Sequence, residues 1–360
     1  MTKTLAFWVI MMLVPLVLLI VAVEGYYLYG YLSLRADYCR SFARLDDQLG
    51  WDLAPDTESC VIGRASVFGE PAFRADVHIN RDGARVAARD EPTPAGGLLA
   101  IGDSWTFGYG IEGKDTFAAR LTADHDRPTA LFASPAYSGA QALLLGRRAA
   151  PAVRPRAIIY LEYGFWGRAV CSGDERPTAM LKPCYWVDDQ GTAHLVTPPA
   201  EHVRRMAAFG MKPGGMVGAG EKTLGYFLVS RPVAKFRQAL VRLGLTSGFA
   251  DDFAAVAPKE QLAAIKQAHY RNLTELAASA GATLVLIDPT GVYDTMVANG
   301  TNSGSIIYLG QIRWHREVGL PLSKLPPAQA RVPSDGHFGP GAHRLIAAMI
   351  DRALDQTAKK

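Results

Sequence analysis

Residues 98 to 104 read Leu-Leu-Ala-Ile-Gly-Asp-Ser, an apolar run that stops at Gly102-Asp103 and leaves Ser104 just beyond it. A serine hydroxyl is a weak nucleophile until a neighbouring imidazole takes its proton and a third group orients that ring. The chain has eight histidines. Most sit in ordinary surroundings: His78 in an alternating hairpin stretch, His125 in a polar turn, His269 in a helical pattern, His194 and His202 in a weakly patterned region. His337 differs. It lies in Pro333-Ser334-Asp335-Gly336-His337-Phe338-Gly339-Pro340-Gly341, a turn-rich loop ahead of the last helical pattern, with a carboxylate two positions upstream. In extended backbone positions i and i+2 point to one side, which sets Asp335 beside the His337 ring. A nucleophile at Ser104, a base at His337 and an orienting acid at Asp335 make an acyl-transfer constellation wherever a fold unites them.

The elements that must unite them follow from hydrophobic period. Leu98 to Ile101 reads as a buried strand, Asp115-Thr116-Phe117 opens a helix through Leu121, and Thr129 to Phe132 is a second strand. Gln141 to Arg148 suggests a helix and Ala157 to Leu161 a third strand. After Arg168 the order weakens. Residues 169 to 257, with a glycine-rich stretch from Gly210 to Gly220 and a helix around Val233 to Leu243, read as an insertion. The pattern resumes with Leu262, Ile265, Leu273 and Leu276 on one helical stripe, an apolar run from Ala282 to Ile287, and a last helix after Pro340-Gly341. Strands alternating with helices predict an α/β fold, a parallel sheet covered on both faces. Such sheets carry their sites at the carboxyl ends of strands, where Ser104 falls. Upstream, Phe73 to Arg85 alternates around Asn80-Arg81-Asp82-Gly83 and reads as a hairpin.

Two glycine motifs point elsewhere and are set aside. Gly108-Tyr109-Gly110-Ile111-Glu112-Gly113 matches a dinucleotide pattern formally, but six residues separate it from the strand end and no acidic residue follows at the second strand. Gly220-Glu221-Lys222-Thr223 misses a phosphate-binding loop because Glu221 parts glycine from lysine. No cofactor is expected. The four cysteines have no Cys-x-x-Cys spacing, so no metal is expected either.

Composition sets the class. The 360 residues are 49% hydrophobic and 20% charged, a globular balance, and the 38 basic and 34 acidic residues are scattered without the block of like charge that nucleic-acid binding requires. The first segment departs from this. Leu5 to Val23 carries no charge, and at 1.5 Å per residue it nearly spans a hydrocarbon core of roughly 30 Å. Tyr26, Tyr27, Tyr29 and Tyr31 follow, as aromatic rings do at a headgroup boundary. The run exceeds a signal-peptide core and no small-x-small site follows, which favours an uncleaved transmembrane anchor over a cleaved leader. Arg35, Arg40 and Arg44 after the span would set the large domain inside by cation count. Against that, Cys39 with Cys60 and Cys171 with Cys184 form two local pairs, as disulfides in an oxidising compartment do. Four buried thiols are the alternative. The expectation is a single-pass inner-membrane protein with an extracytoplasmic or periplasmic domain.

Ile101-Gly102-Asp103-Ser104-Trp105-Thr106-Phe107-Gly108-Tyr109-Gly110 resembles the first block of the SGNH, or GDSL-type, hydrolases, in particular membrane-anchored bacterial members. Asp335-Gly336-His337 with Gly341-Ala342-His343-Arg344-Leu345-Ile346-Ala347 resembles their last block. Asn80-Arg81-Asp82-Gly83-Ala84-Arg85 and Asp115-Thr116-Phe117 also fit, so the resemblance spans about residues 70 to 170 and 256 to 350. It implies a three-layer, flavodoxin-like parallel sheet and Ser104, His337 and Asp335 as the catalytic set. The family commonly places its acid three residues before the histidine, where this chain has Ser334; spacing of two also occurs in anchored relatives. The family's oxyanion site uses the N–H of the nucleophile, the N–H of a glycine after the second strand and an asparagine amide after the third. Here Ala136 aligns with that glycine, Gly139 stands nearby, and Trp166 occupies the asparagine position. Trp105, Tyr109, Phe165 and Arg168 are candidates for substrate contact. The implied organisation is an anchor at 1–32, a connector with a small β module at 33–95, and a hydrolase-like domain at 96–357 interrupted at about 169–257. The implied activity is a serine esterase or O-acyltransferase acting on an extracytoplasmic ester such as a glycan O-acetyl group. A catalytically weak module that binds a glycan or a membrane partner is the competing reading, supported by the altered third block.

Overall fold

The computed structural model describes residues 39, 42–64, 71–163, 171, 182–197, 200, 259–298 and 305–358, together with residues 8, 11, 13–19, 21, 22 and 25. The chain divides into two compact units, one of residues 1–38, 66–69 and 216–249, the other of residues 39–65, 70–215 and 250–360. In the first, the described residues are helical, with Trp8, Met11, Leu13, Leu16 and Leu18 exposed. Among the described residues no helix is long and apolar enough to cross a membrane; eight of the nineteen residues from Leu5 to Val23 lie outside them. The glycine-rich stretch from Gly210 to Gly220, Gly220-Glu221-Lys222-Thr223, the Val233 to Leu243 helix and His202 also lie outside the described residues.

The second unit is built on five parallel strands: β6 (Leu98–Gly102), β7 (Thr129–Ala133), β8 (Ala157–Leu161), β11 (Thr283–Ile287) and β12 (Ile306–Leu309). Their spatial order is β12-β11-β8-β6-β7. In order of appearance this is 2-1-3-4-5 read from the β7 edge, the flavodoxin-like doubly wound arrangement. The chain moves one way from β6 to β7 and the other way from β7 to β8. Right-handed crossovers therefore send successive helices to opposite faces. Leu99, Ile101, Ala130, Phe132, Ile158, Tyr160, Leu284 and Leu286 face one core with α3 (Gly139–Val153) and α4 (Lys259–Ser279). The alternate residues Ala100, Leu131, Ile159 and Val285 are equally buried, as period two requires of a sheet covered on both sides. On that side α2 (Phe117–His125) packs with α5 (Pro340–Ala358). The topological switch falls between β6 and β8, so the crevice beyond their carboxyl ends is where this fold places a site.

Residues 43–86 carry two small antiparallel sheets. The hairpin β1 (Ala43–Asp46) and β2 (Gly50–Leu53) lies on α3, where the Tyr137 hydroxyl donates to Trp51 O (2.8 Å) and Gln141 Nε2 to Leu49 O (2.8 Å). Strands β3 (Thr57–Arg64), β4 (Pro71–Ile79) and β5 (Arg85–Val86) form an antiparallel sheet, with the expected turn at Asn80 to Gly83 between β4 and β5. Disulfides join Cys39 to Cys60 and Cys171 to Cys184. The described part of the region read as an insertion contains a hairpin, β9 (Cys184–Val187) and β10 (Ala193–Val196), packed on α4 with Tyr185 in the same core as the sheet.

Candidate active site

Ser104 is set by the way β6 ends. A Cβ at Gly102 would stand 2.1 Å from Thr106 Oγ1, so only glycine lets the chain fold back into the one-turn helix α1 (Ser104–Phe107). Asp103 caps it, its carboxylate accepting from Trp105 N–H at 2.9 Å. Gly108, at φ +76°, closes it, and the Gly108 and Tyr109 N–H groups donate to Ser104 O at 3.1 and 3.0 Å. Ser104 thus holds the first helical position, whose N–H has no acceptor within its own helix.

The loop before α5 folds on itself. Arg331 and Phe338 form an antiparallel bridge, Val332 N–H donates to His337 O (2.8 Å), and Asp335 and Gly336 N–H converge on Val332 O (3.2 and 3.3 Å). Ser334 at φ +63° and Gly336 at φ +93° make the tight reversals. Arg331 Nη1 donates to Gly336 O at 2.8 Å. The result sets Asp335 and His337 side by side. Asp335 Oδ1 accepts from the His337 N–H at 3.3 Å and pairs with His337 Nδ1, while His337 Nε2 lies 2.8 Å from Ser104 Oγ. A proton on Nδ1, facing the carboxylate, leaves Nε2 as the acceptor of the serine hydroxyl hydrogen. Ser104 is 7% exposed, a low-dielectric setting in which such hydrogen bonds are strong.

Aromatic rings fix the imidazole. Trp105 stacks on Tyr163 (4.0 Å), lies 4.7 Å from the His337 ring, and meets Phe338 edge-on at 4.6 Å. Tyr109 stands 5.1 Å from His337, and burial together with the Asp335 charge raises its phenol above the ordinary range, keeping it neutral. Trp105 is 8% exposed. It forms a wall behind the histidine ring. Tyr109 is half-buried.

The loop after β7 closes against the end of β6: Ser134 N–H donates to Gly102 O and Tyr137 N–H to Ser134 O, both at 3.3 Å. Between them Ala136 takes φ +65°, the left-handed conformation that glycine would hold without strain. Gly139 has another reason to be glycine. It opens α3 behind a capping box of Ser138 and Gln141, and a Cβ there would lie 2.8 Å from His269 Nε2. Phe165, Trp166 and Arg168 lie outside the described residues. Among the described residues no group of three or more His, Cys, Asp or Glu side chains is arranged to hold a metal.

Several residues escaped the sequence reading. Tyr163 and Phe338 flank the recognised positions but carry no motif of their own. His343, fully buried on α5, accepts from Phe117 N–H through Nδ1 (3.1 Å), and burial, with Arg85 and His337 nearby, pulls its pKa down to about 3. It stays neutral. Arg85 is 4% exposed beneath α1; its lone charge between apolar neighbours was the available signal.

No family model matches the chain, and no curated protein matches it. Among solved structures it is similar to a carbohydrate esterase whose active site displays divergent catalytic and non-catalytic binding functions. That match has a TM-score of 0.37 and 12% identity, covering 76% of this chain and 67% of the other. It is also similar to an acetyl xylan esterase from the rumen bacterium Butyrivibrio proteoclasticus, with a TM-score of 0.34 and 11% identity, covering 75% and 66%. The chain thus spans about two thirds of the length of each.

Proposed function

We propose that this chain is a serine esterase or O-acyltransferase of the SGNH type. The observation that carries the reading is the continuous relay from Ser104 Oγ to His337 Nε2, at 2.8 Å, and on from Nδ1 to Asp335, assembled from residues 233 positions apart. In the proposed reaction Ser104 Oγ bonds to the acyl carbon as its proton passes to His337 Nε2. The carbonyl oxygen becomes an oxyanion, held by the Ser104 and Ala136 N–H groups. His337 then returns the proton to the departing alkoxide, leaving an acyl-serine. Water or an acceptor hydroxyl, deprotonated by the same nitrogen, releases the acyl group and restores Ser104. Two backbone donors suffice for catalysis, since one missing donor costs about 10² to 10³ in rate.

The acyl donor or product proposed is an O-acetylated glycan, on the resemblance of the first and last blocks. An extracytoplasmic setting is supported by the two disulfides. Anchoring through Leu5 to Val23 rests on that segment's length and apolar character. A fluorophosphonate probe tests the core of the reading on the full chain. Wild type is expected to be labelled on Ser104 and to hydrolyse 4-nitrophenyl acetate, and Ser104→Ala to do neither. Equal silence from both would instead assign the scaffold to binding.

A further inference from the structure

Arg85 is a cation in a place where cations are expensive. It is 4% exposed, and the carboxylate whose field reaches it is that of Glu112. Burial lowers its pKa to about 9, against a field from Glu112, so it remains charged near neutrality. A buried charge is tolerated only where dipoles replace the water it lost. Here the replacements are backbone carbonyls of the nucleophile segment. Nη1 donates to Phe107 O and to Gly108 O (2.7 Å), Nη2 donates to Ile111 O (2.5 Å), and the guanidinium carbon sits 4.1 Å over the Phe107 ring. These carbonyls lie at the carboxyl end of α1 and in the turn after it, where a helix presents unsatisfied oxygens and partial negative charge.

The segment needs such a clamp. α1 is a single turn of four residues with Gly102 before its cap and Gly108 at its end, too short to persist by its own hydrogen bonds. Ser104 opens it, and Tyr109, against the His337 ring, follows it. Arg85 is itself held firmly. Asn80 Oδ1 accepts from Asp82 and Ala84 N–H (3.1 and 3.0 Å), and its Nδ2 donates to Glu91 O (3.0 Å) and Thr93 Oγ1 (2.9 Å). This fixes the turn that sets Arg85 opposite Ile79. We propose that Arg85 is a positioning residue, a planar fork from the upstream β module that holds the one-turn helix of Ser104 and the Tyr109 turn in register with His337. The inference rests on the reading of Ser104 as nucleophile, and it makes the upstream module part of the active machinery. Lysine is no substitute, since an ammonium lacks the fork that spans three carbonyls.

The test compares wild type, Ser104→Ala, Arg85→Met and Arg85→Lys in the full chain. It measures fluorophosphonate labelling rate, kcat and KM on 4-nitrophenyl acetate, thermal midpoint, and amide hydrogen exchange by mass spectrometry. Arg85→Met is expected to unfold cooperatively and to lose at least tenfold in labelling rate and kcat, with KM within threefold. Exchange should quicken at least tenfold in 104–111 and stay unchanged in 141–161. Arg85→Lys should recover only part. A folded Arg85→Met within twofold of wild type in both rate and exchange overturns the proposal. If Arg85→Met does not fold, Arg85→Lys decides: wild-type rates and exchange overturn it, and slowed labelling with local loosening supports it. If wild type labels no faster than Ser104→Ala, the nucleophile reading fails, and exchange in 104–111 still decides whether Arg85 holds that segment.

Discussion

Ala136 at φ +65° is held in a conformation that costs a residue with a Cβ about 1 to 2 kcal/mol. The loop retains it because Ser134 and Tyr137 are hydrogen-bonded on either side. Ala136→Gly relieves that strain while adding chain entropy of about 0.5 to 1 kcal/mol to the unfolded state. Thermal midpoint and Ser104 labelling should therefore both stay near wild type. Ala136→Val sets a β-branched side chain in the same conformation. It should destabilise by about 1 to 3 kcal/mol and, by moving the N–H, slow acyl transfer by up to the 10² to 10³ that one donor is worth. Equal rates for the valine and glycine variants would remove Ala136 from the oxyanion site. Asp335→Asn should leave the fold intact and lower kcat by about 10² to 10⁴, because an amide no longer enforces the Nδ1–H tautomer; wild-type turnover would assign the orienting role elsewhere. Ser104, His337 and Asp335 were legible because turn residues mark them locally: Gly102-Asp103 before the serine, Gly336 between acid and base. Arg85 and Tyr163 were not. Their meaning lies in partners more than twenty positions away, which no local pattern records.

At the scale of elements, four of the five strands of the parallel sheet were readable from apolar runs bounded by glycine, proline or aspartate, and the observed bounds differ by at most one residue. β12 was missed because Ile306 to Leu309 is short and follows a polar, glycine-containing stretch. The helices α4 and α5 carry a property that period alone does not show. Each buries a histidine fully, His269 between Tyr160 and Tyr185 and His343 against Phe117, and burial pulls both down to about 3. In the unfolded chain an imidazole titrates near 6.5. Between these values the unfolded state binds more protons. Stability is thus fully present above about pH 6.5 and falls as pH drops toward 3, by up to about 1.4 kcal/mol per pH unit for each histidine. Urea midpoints measured at pH 7 and pH 5 should show the decline. His343→Asn, whose Oδ1 takes over the acceptor role toward Phe117 N–H, should flatten it by about one proton. An unchanged slope would trace the acid sensitivity to other groups.

For the whole molecule, the question is what fastens residues 39–86 to the sheet domain, because Arg85 acts from there. The sequence predicts a connector with a small β module here but not its attachment, since the ties run across long separations: Trp51 to Tyr137, Leu49 to Gln141, and Arg148 to Asp46 (2.8 Å) and Asp52 (3.0 Å). Burial raises the Asp52 carboxyl pKa despite the nearby Arg148, whereas the hydrogen bond to Arg148 helps hold Asp46 below its ordinary value, so Asp46 is the favourable partner of that guanidinium. The Cys39–Cys60 bridge closes 21 positions within the module and the Cys171–Cys184 bridge closes 13 beside β9. On a chain-entropy view, loops of this size stabilise by about 3 kcal/mol each, acting on the unfolded state and not on native contacts. That separates fold stability from site geometry. Replacing Cys39 and Cys60 together by serine should lower the thermal midpoint by several degrees. Below that midpoint the Ser104 labelling rate should stay within about twofold of wild type, because Asn80 and Arg85 keep their hydrogen bonds. Thiol titration should find no free sulfhydryl in the native protein and four after reduction under denaturing conditions. If instead the Cys39/Cys60 variant loses labelling while still folded, the bridge itself holds the β module in place. The route from the module to the nucleophile would then run through the disulfide and not through the Asn80 turn.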